Sequence, residues 1–164
     1  MSQQITDTKP AGPILGFEGE WRFLSNFHPS RVQYEGITFD TVEHAFQAAK
    51  TLDVGQRMLI AGEATPGKAK RAGRKVTLRG DWEDIKYGVM RTLVALKFMS
   101  NPDLALRLLA TDDRHLAEEN GWNDQLWGQT NGVGRNWLGL ILMEVRAELR
   151  ALDDTFASNR KARR

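Results

Sequence analysis

The chain has 164 residues, 41% hydrophobic and 27% charged, a size and composition that suit one globular domain with a full core. It has no cysteine, which excludes a disulfide framework, a thiol nucleophile and a thiolate metal site. The formal net charge of +2 does not require a nucleic-acid partner. No apolar run is long enough for a membrane helix or a secretory signal, so we expect a cytoplasmic protein with no membrane partner.

The two ends of the chain differ from its centre. Residues 1–13 are polar, and we expect them to form a flexible leader. Residues 153–164 end in a basic run, and we expect a flexible, solvated tail. The segment between them, 14–152, is then expected to fold as one domain.

Short strands are favoured in two segments at the start of this domain. One is the aromatic segment 17–27, and the other is 32–39, where a Glu35-Gly36 turn predicts a hairpin. Asp40 is then expected to cap the first helix. Glu43 stands three residues further on, which fits a capping box.

The rest of the chain is mainly helical by its apolar periodicity and its stop signals. The pattern predicts helices over 56–61, 66–73, 82–100, 102–110 and 137–152, and extended pieces over 76–78 and 114–119. These elements predict a predominantly helical α+β domain with a small β-sheet. The glycine-rich segment 121–134 is too long for a plain connector, and long ordered loops are commonly functional.

The first helix carries three polar side chains on one stripe. Glu43, Gln47 and Lys50 are spaced i, i+4 and i+7, at the margin of an apolar face. Such groups suit the binding of a polar ligand and the movement of a proton. A glutamate in a capping box and a lysine on the surface are the structural alternatives. The three histidines have no clustered partners and do not indicate a metal site.

A second group of candidates lies in the glycine-rich segment and at the start of the last helix. Asp124 and Trp127 offer a carboxylate beside an aromatic face, and the glycines allow close backbone approach to a ligand. Asn136 is expected to cap the last helix. The alternative is an ordinary glycine loop with a core tryptophan. The candidate binding residues here are Trp127, Gly128, Gly134, Arg135 and Asn136.

Further candidates lie outside these two segments. Arg22, Ser25 and Asn26 stand among core phenylalanines and could offer a charge and hydrogen bonds to a ligand. Trp82, at the start of the longest helix, is either a core residue or a stacking platform. The basic segment 68–79 is either a solvated face or a phosphate site.

Six motifs in this order resemble the YbiA-like, or NADAR, N-glycosidases. They are Gly-Glu-Trp-Arg-Phe-Leu-Ser-Asn-Phe at 19–27, Thr-Val-Glu-His-Ala-Phe-Gln-Ala-Ala-Lys at 41–50, Asp-Trp-Glu at 81–83, Leu-Lys-Phe at 96–98, Asn-Asp-Gln-Leu-Trp-Gly at 123–128 and Gly-Val-Gly-Arg-Asn-Trp-Leu-Gly at 132–139. The resemblance implies a compact α+β domain that hydrolyses the N-glycosidic bond of a phosphorylated ribose without a metal or cofactor. The implied substrates are ribosylamino-pyrimidine phosphates of riboflavin synthesis or ADP-ribose linked to a nucleobase, including ADP-ribosylated nucleic acid.

The resemblance also assigns roles to residues. The family's functional glutamate, lysine, tryptophan and aspartate fall on Glu43, Lys50, Trp82 and Asp124. Arg135 stands where the family often has lysine, and arginine keeps the charge and can hold phosphate in a fork.

The mechanism that we expect uses two carboxylates. Glu43 or Asp124 stabilises the oxocarbenium-like ribose, and the other activates water or protonates the leaving group. Lys50 either stabilises negative charge or attacks C1′ to form a Schiff base. Two rivals stay open: a non-catalytic module that binds ADP-ribose or a nucleotide, and a nucleic-acid-binding protein that relies on the basic tail.

Overall fold

The computed structural model describes residues 11–162. Most of the expected leader, 1–10, and the last two residues of the expected tail, 163–164, therefore lie outside the described residues. The elements are β1 (Ile14–Leu15), a 3₁₀ helix (Gly19–Leu24), β2 (Val32–Tyr34), β3 (Ile37–Phe39), α1 (Val42–Ala48), α2 (Val54–Ala61), α3 (Pro66–Ala72), α4 (Trp82–Met99), α5 (Pro102–Leu109), β4 (Leu116–Ala117) and α6 (Trp137–Ala162).

The described residues confirm a predominantly helical α+β fold. The strands form two small sheets: β2 and β3 make the antiparallel hairpin, and β1 pairs in parallel with β4 from the far end of the domain. The hairpin turns at Glu35 and Gly36, which both have positive φ (46° and 79°), as a two-residue turn of this kind requires. None of the helices within residues 11–162 is both long and apolar enough to cross a membrane.

The core lies around α4, which packs against α1 and against α6. From α4, Leu93 and Phe98 are fully buried, and from α6 so are Leu138, Ile141 and Leu142. Helices α4 and α6 follow the 3.6-residue period, so their apolar stripes face each other.

Helix α1 is buried along its whole length, although three of its residues are polar. A buried polar group is costly unless it is hydrogen-bonded, so these side chains must find partners inside the protein. His44 does so through Thr41 Oγ1 (2.8 Å) and the Glu63 carbonyl (3.0 Å). The fold therefore holds polar chemistry at the centre of the domain.

Three local predictions were wrong. The segment 17–27 forms a 3₁₀ helix instead of a strand, because Gly19 has φ of 53° and the tight turn still carries Phe23 and Leu24 into the core. The first helix is capped by Thr41, not Asp40. The last helix does not end near Leu152 but continues to Ala162, since no glycine or proline follows Gly139 to stop it.

Candidate active site

The Glu43 carboxylate does not cap helix α1. The Thr41 side chain caps the helix by accepting from the His44 backbone N–H (3.2 Å), so the expected capping box at Glu43 is absent. Glu43 is only 6% exposed, and its Oε1 accepts from Gln47 Nε2 (2.8 Å). Burial raises the pKa of the Glu43 carboxyl, while the Gln47 hydrogen bond and the charges of Lys70 and Lys50 oppose the rise.

Lys50 reaches the same site from a turn. Helix α1 ends at Ala48, so the prediction that Lys50 continues the helical stripe was wrong, although its charge still acts on Glu43. Partial burial lowers the pKa of Lys50, Glu43 opposes this, and the positive charges of Lys70 and Arg74 lower it further. A lysine with a lowered pKa has a larger share of neutral, nucleophilic amine.

Glu118 is a site residue that the sequence reasoning missed. It directly follows β4, and its backbone N–H donates to Asn136 Oδ1 (3.1 Å). Burial raises the pKa of Glu118 to about 7, and the negative charges of Asp124 and Glu43 add to this, while Lys70 opposes it. The signal in the sequence was a glutamate immediately after two apolar residues of a predicted strand.

Asn136 does not act as the expected helix cap. Its side chain bridges to β4 instead, donating from Nδ2 to the Leu116 carbonyl (2.9 Å) and accepting from Glu118. The residue has φ of 51°, a conformation that asparagine tolerates better than most residues. Asn136 therefore fixes the backbone that presents Glu118.

Asp124 serves its own loop as well as the site. Its Oδ1 accepts from the backbone N–H groups of Leu126 (3.1 Å) and Trp127 (3.0 Å). Its own N–H donates to Asn120 Oδ1 (3.0 Å). The carboxylate thus orders the turn that carries Trp127, and its charge contributes to the raised pKa of Glu118.

The two expected stacking residues differ in exposure. Trp82 is only 5% exposed and packs against Phe46, with ring centroids 5.0 Å apart. Trp127 is partly exposed and meets Phe46 edge-on at 5.2 Å and Trp137 at 5.5 Å. Trp127 therefore has the more accessible ring, and Trp82 supports the aromatic wall behind it.

The glycines of the loop are required by close packing. A Cβ on Gly128 would lie 2.3 Å from the Glu118 carbonyl, and one on Gly134 would lie 2.4 Å from the Gly128 carbonyl. Gly134 and Arg135 line a cavity of about 650 Å³ together with Trp137, whose ring centre lies 5.7 Å from the Arg135 guanidinium. Neither Glu43 nor Glu118 lines this cavity, and the Arg135 backbone N–H donates to the carbonyl of Gln125, the residue after Asp124 (2.7 Å).

The segment before the hairpin contacts the site through the backbone of Asn26. The Asn26 carbonyl accepts from the Glu43 backbone N–H (3.1 Å), and its side-chain Oδ1 is buried without a partner among the described residues, as is Gln47 Oε1. The Ser25 carbonyl accepts from the buried amine of Lys97 (2.9 Å). Arg22 is exposed and acts on a different residue, His28. Burial of His28 lowers its pKa, and the positive charges of Lys97, Arg107 and Arg22 lower it further.

The structure thus groups Glu43, Gln47, Lys50, Glu118 and Asp124, with Lys70 acting on both glutamates. One carboxyl that holds its proton near neutral pH, a second buried carboxyl and a lysine with a lowered pKa are suited to acid–base or nucleophilic catalysis. Among the residues that the structure describes, no group of three or more potential ligands could hold a metal ion.

Comparison with known proteins gives consistent matches. Residues 15–150 match the family model described as the NADAR domain. "N-glycosidase YbiA" of Escherichia coli K12 is 41% identical over 129 residues, covering 77% of this chain and 80% of that protein. "N-glycosidase Npun_R5314" of Nostoc punctiforme is 40% identical over 135 residues, covering 79% and 86%.

Two further matches concern a longer protein and a solved structure. "Riboflavin biosynthesis protein VVA0006" of Vibrio vulnificus is 40% identical over 142 residues, which are 84% of this chain but only 38% of that protein. The NMR structure of the E. coli protein YbiA superposes with a TM-score of 0.79 at 35% identity and covers 92% of each chain.

Proposed function

Because this chain belongs to the NADAR family, we propose that it is an N-glycosidase that hydrolyses the bond between a phosphorylated ribose and a nitrogen base. The observation that carries the proposal is the grouping of Glu43, Lys50 and Glu118, three buried or half-buried ionisable groups. The charges of Glu43 and Lys50 act on each other's pKa, and the charge of Glu43 acts on the pKa of Glu118. The names of the relatives support the reaction class. The substrates that we propose are a ribosylamino-pyrimidine phosphate or ADP-ribose linked to a nucleobase.

In the proposed reaction Glu118 is the general acid. As the C1′–N bond breaks, its electron pair stays on the nitrogen of the leaving base, and that nitrogen takes the Glu118 proton. A carboxyl whose pKa is about 7 still holds its proton in about half of the molecules at neutral pH. Asp124, which the sequence analysis paired with Glu43 without assigning the acid to either, has one oxygen already bonded to two backbone N–H groups.

Glu43 stabilises the ribose as it gains positive charge. A fixed carboxylate inside a water-poor site acts on such a charge more strongly than it would in bulk water. Water then adds its oxygen to C1′ and gives a proton to Glu43. Gln47 donates to Glu43 Oε1 and so holds the carboxylate in one orientation.

Lys50 has two possible roles, which differ in a measurable product. If its neutral amine attacks C1′, the base leaves, the ribose ring opens, and a Schiff base forms on Lys50, which water later hydrolyses. If it acts only through its charge, it balances the phosphate of the substrate. Borohydride reduction during turnover would leave a ribosyl adduct on Lys50, detectable by mass spectrometry, only in the first case.

The test is release of base from riboflavin intermediates and from ADP-ribosylated guanine or thymine, followed by mass spectrometry. Glu43→Gln and Lys50→Ala should each lower turnover by roughly 10²–10⁴, while the exposed Glu20→Gln control should retain it. Full activity in both site variants, with folded protein, would overturn the proposal. Binding of ADP-ribose without release of base, unaffected by Glu43→Gln, would instead favour a non-catalytic binding module.

A further inference from the structure

A second cavity lies between α2 and α3, two helices that pack against α1. Its volume is about 690 Å³, which is within the usual range of small-molecule sites. Its inner wall is aliphatic, formed by Ile60, Ala72 and Val76, with Leu59 at the mouth. None of these residues takes part in the proposed reaction.

The rim of this cavity is strongly positive. Four cations line it: Lys68, Arg71, Arg74 and Lys75. Within the part of the chain that the structure describes, none of these four cations forms an ion pair. Five arginines elsewhere in the protein do pair with an Asp or Glu side chain. Four exposed cations and a single carboxylate, Glu63, around one concave surface leave it positively charged and favour an anionic ligand.

Two polar residues complete the lining and differ in availability. The Gln56 side chain is fully engaged, since its Oε1 accepts from the Thr77 N–H (2.8 Å) and its Nε2 donates to Thr77 Oγ1 (3.1 Å). Glu63 is held in place by its carbonyl, which contacts His44 Nε2 (3.0 Å). Its carboxylate has no hydrogen-bond partner among residues 11–162, so it can accept from hydroxyl groups of a ligand.

We propose that this cavity is a binding site for a nucleoside phosphate. The phosphates would contact Arg71, Lys75 and their cationic neighbours, the base would pack on Leu59 and Val76, and the ribose hydroxyls would donate to Glu63. Inorganic phosphate would leave the aliphatic wall in water, and an uncharged ligand would leave the four cations uncompensated. Glu63 would repel a ligand that carried its charge on this side, which orients the phosphates toward α3.

The cavity adjoins the candidate active site. Gly73, which stands between the lining residues Ala72 and Arg74, packs directly against the Gln47 side chain of the candidate site. The proposed ligand chemistry has two sources, a free nucleotide or a nucleotide within a single strand. The inference does not depend on the proposed reaction, since binding can be measured without turnover.

The experiment is calorimetric titration of the whole protein with ADP at low salt. Arg71→Gln/Lys75→Gln should weaken ADP binding by roughly tenfold or more, because two charge-assisted contacts are lost. The control is Arg31→Gln/Arg150→Gln, which removes the same charge from residues that pair with Asp40 and Asp113 elsewhere. Unchanged ADP affinity in the first variant, or equal weakening in both, would overturn the proposal.

A second pair of variants tests the aliphatic wall. Leu59 is 74% exposed and Leu106, on α5, is 65% exposed, so a serine at either position should leave the fold intact. Leu59→Ser should weaken ADP binding while leaving the weaker binding of pyrophosphate unchanged, and Leu106→Ser should change neither. Equal affinity of the native protein for ADP and pyrophosphate would contradict a site for the base.

The two sources are distinguished by a short single-stranded oligonucleotide. If the site receives a nucleotide within a strand, the oligonucleotide should bind more tightly than ADP, compete with it, and lose affinity in Arg71→Gln/Lys75→Gln. If the site receives a free nucleotide, ADP should bind and the oligonucleotide should not displace it. Failure of both ligands to bind would overturn the proposal.

Discussion

Replacing Glu118 with glutamine removes the proton that we assign to the leaving base while keeping the size of the side chain. With a pKa of about 7, the Glu118 carboxyl is protonated in about half of the molecules at pH 7 and in about one hundredth at pH 9. Turnover by the native enzyme should therefore fall about 50-fold over this interval. Glu118→Gln should lower turnover by roughly 10²–10⁴ at pH 7 and lose this alkaline limb.

The assay is base release between pH 5 and pH 9, with Glu119→Gln as the matched control. Glu119 is the next residue, and its carboxylate accepts from the Gly132 N–H (3.2 Å), a bond that glutamine can keep. The control should retain both the rate and the alkaline limb. An alkaline limb that persists in Glu118→Gln would refute the assignment of the general acid.

Stability gives an independent measurement on the same variant. Because the pKa of Glu118 is raised in the folded state, the folded protein holds this proton more tightly than the unfolded chain does. The free energy of unfolding therefore falls as the pH rises from the pKa of glutamate in the unfolded chain to about 7. Glutamine does not titrate, so Glu118→Gln should not show this loss of stability. Urea unfolding should therefore show Glu118→Gln to be more stable than the native protein by up to about 3 kcal/mol at pH 8.

Three further predictions concern the framework of the site. Lys97 is buried and its pKa is lowered to about 7, so Lys97→Met should stabilise the protein at pH 7. Urea unfolding should show this gain shrinking by about 2 kcal/mol by pH 9, because the pH then approaches the pKa of lysine in the unfolded chain. An equal gain at both pH values would contradict this prediction. Gly139→Ala should cost roughly 1–3 kcal/mol in thermal unfolding, because its Cβ would lie 2.2 Å from a β4 carbonyl, whereas Gly88→Ala in α4, with open space, should not destabilise. Asp124→Asn keeps the Oδ1 acceptor but removes the negative charge that raises the pKa of Glu118, so the alkaline limb of base release should move to lower pH; an unmoved limb would argue against that interaction.

Local signals in the sequence predicted the elements whose ends are set by neighbouring residues. Thr65 and Pro66 mark the start of α3 and Gly73 its end, and the structure confirms both boundaries. Glu35-Gly36 predicted the hairpin for the same reason, because the turn conformation depends on two residues alone. The end of α6 lacks such a signal, and the helix continues beyond Leu152.

The composition of the site depends on contacts distant in sequence, which no local pattern reports. Glu43 and Lys50 were found because they lie close together in the chain. Glu118 comes near Glu43 through the position of β4, which pairs with β1 and is hydrogen-bonded to the side chain of Asn136, a residue that was expected to cap a helix. The sequence also did not indicate that the Asp124 carboxylate accepts hydrogen bonds from two backbone N–H groups of its own loop.

The parallel pairing of β1 with β4 bears on how the protein acquires activity during synthesis. It joins Ile14 to Leu116, so the closing contact must wait until most of the domain has left the ribosome. Helix α1, with Glu43, is made long before Glu118. Nascent chains that end before β4 should therefore be catalytically silent even when their early helices have formed, and the appearance of turnover should report the last step of folding.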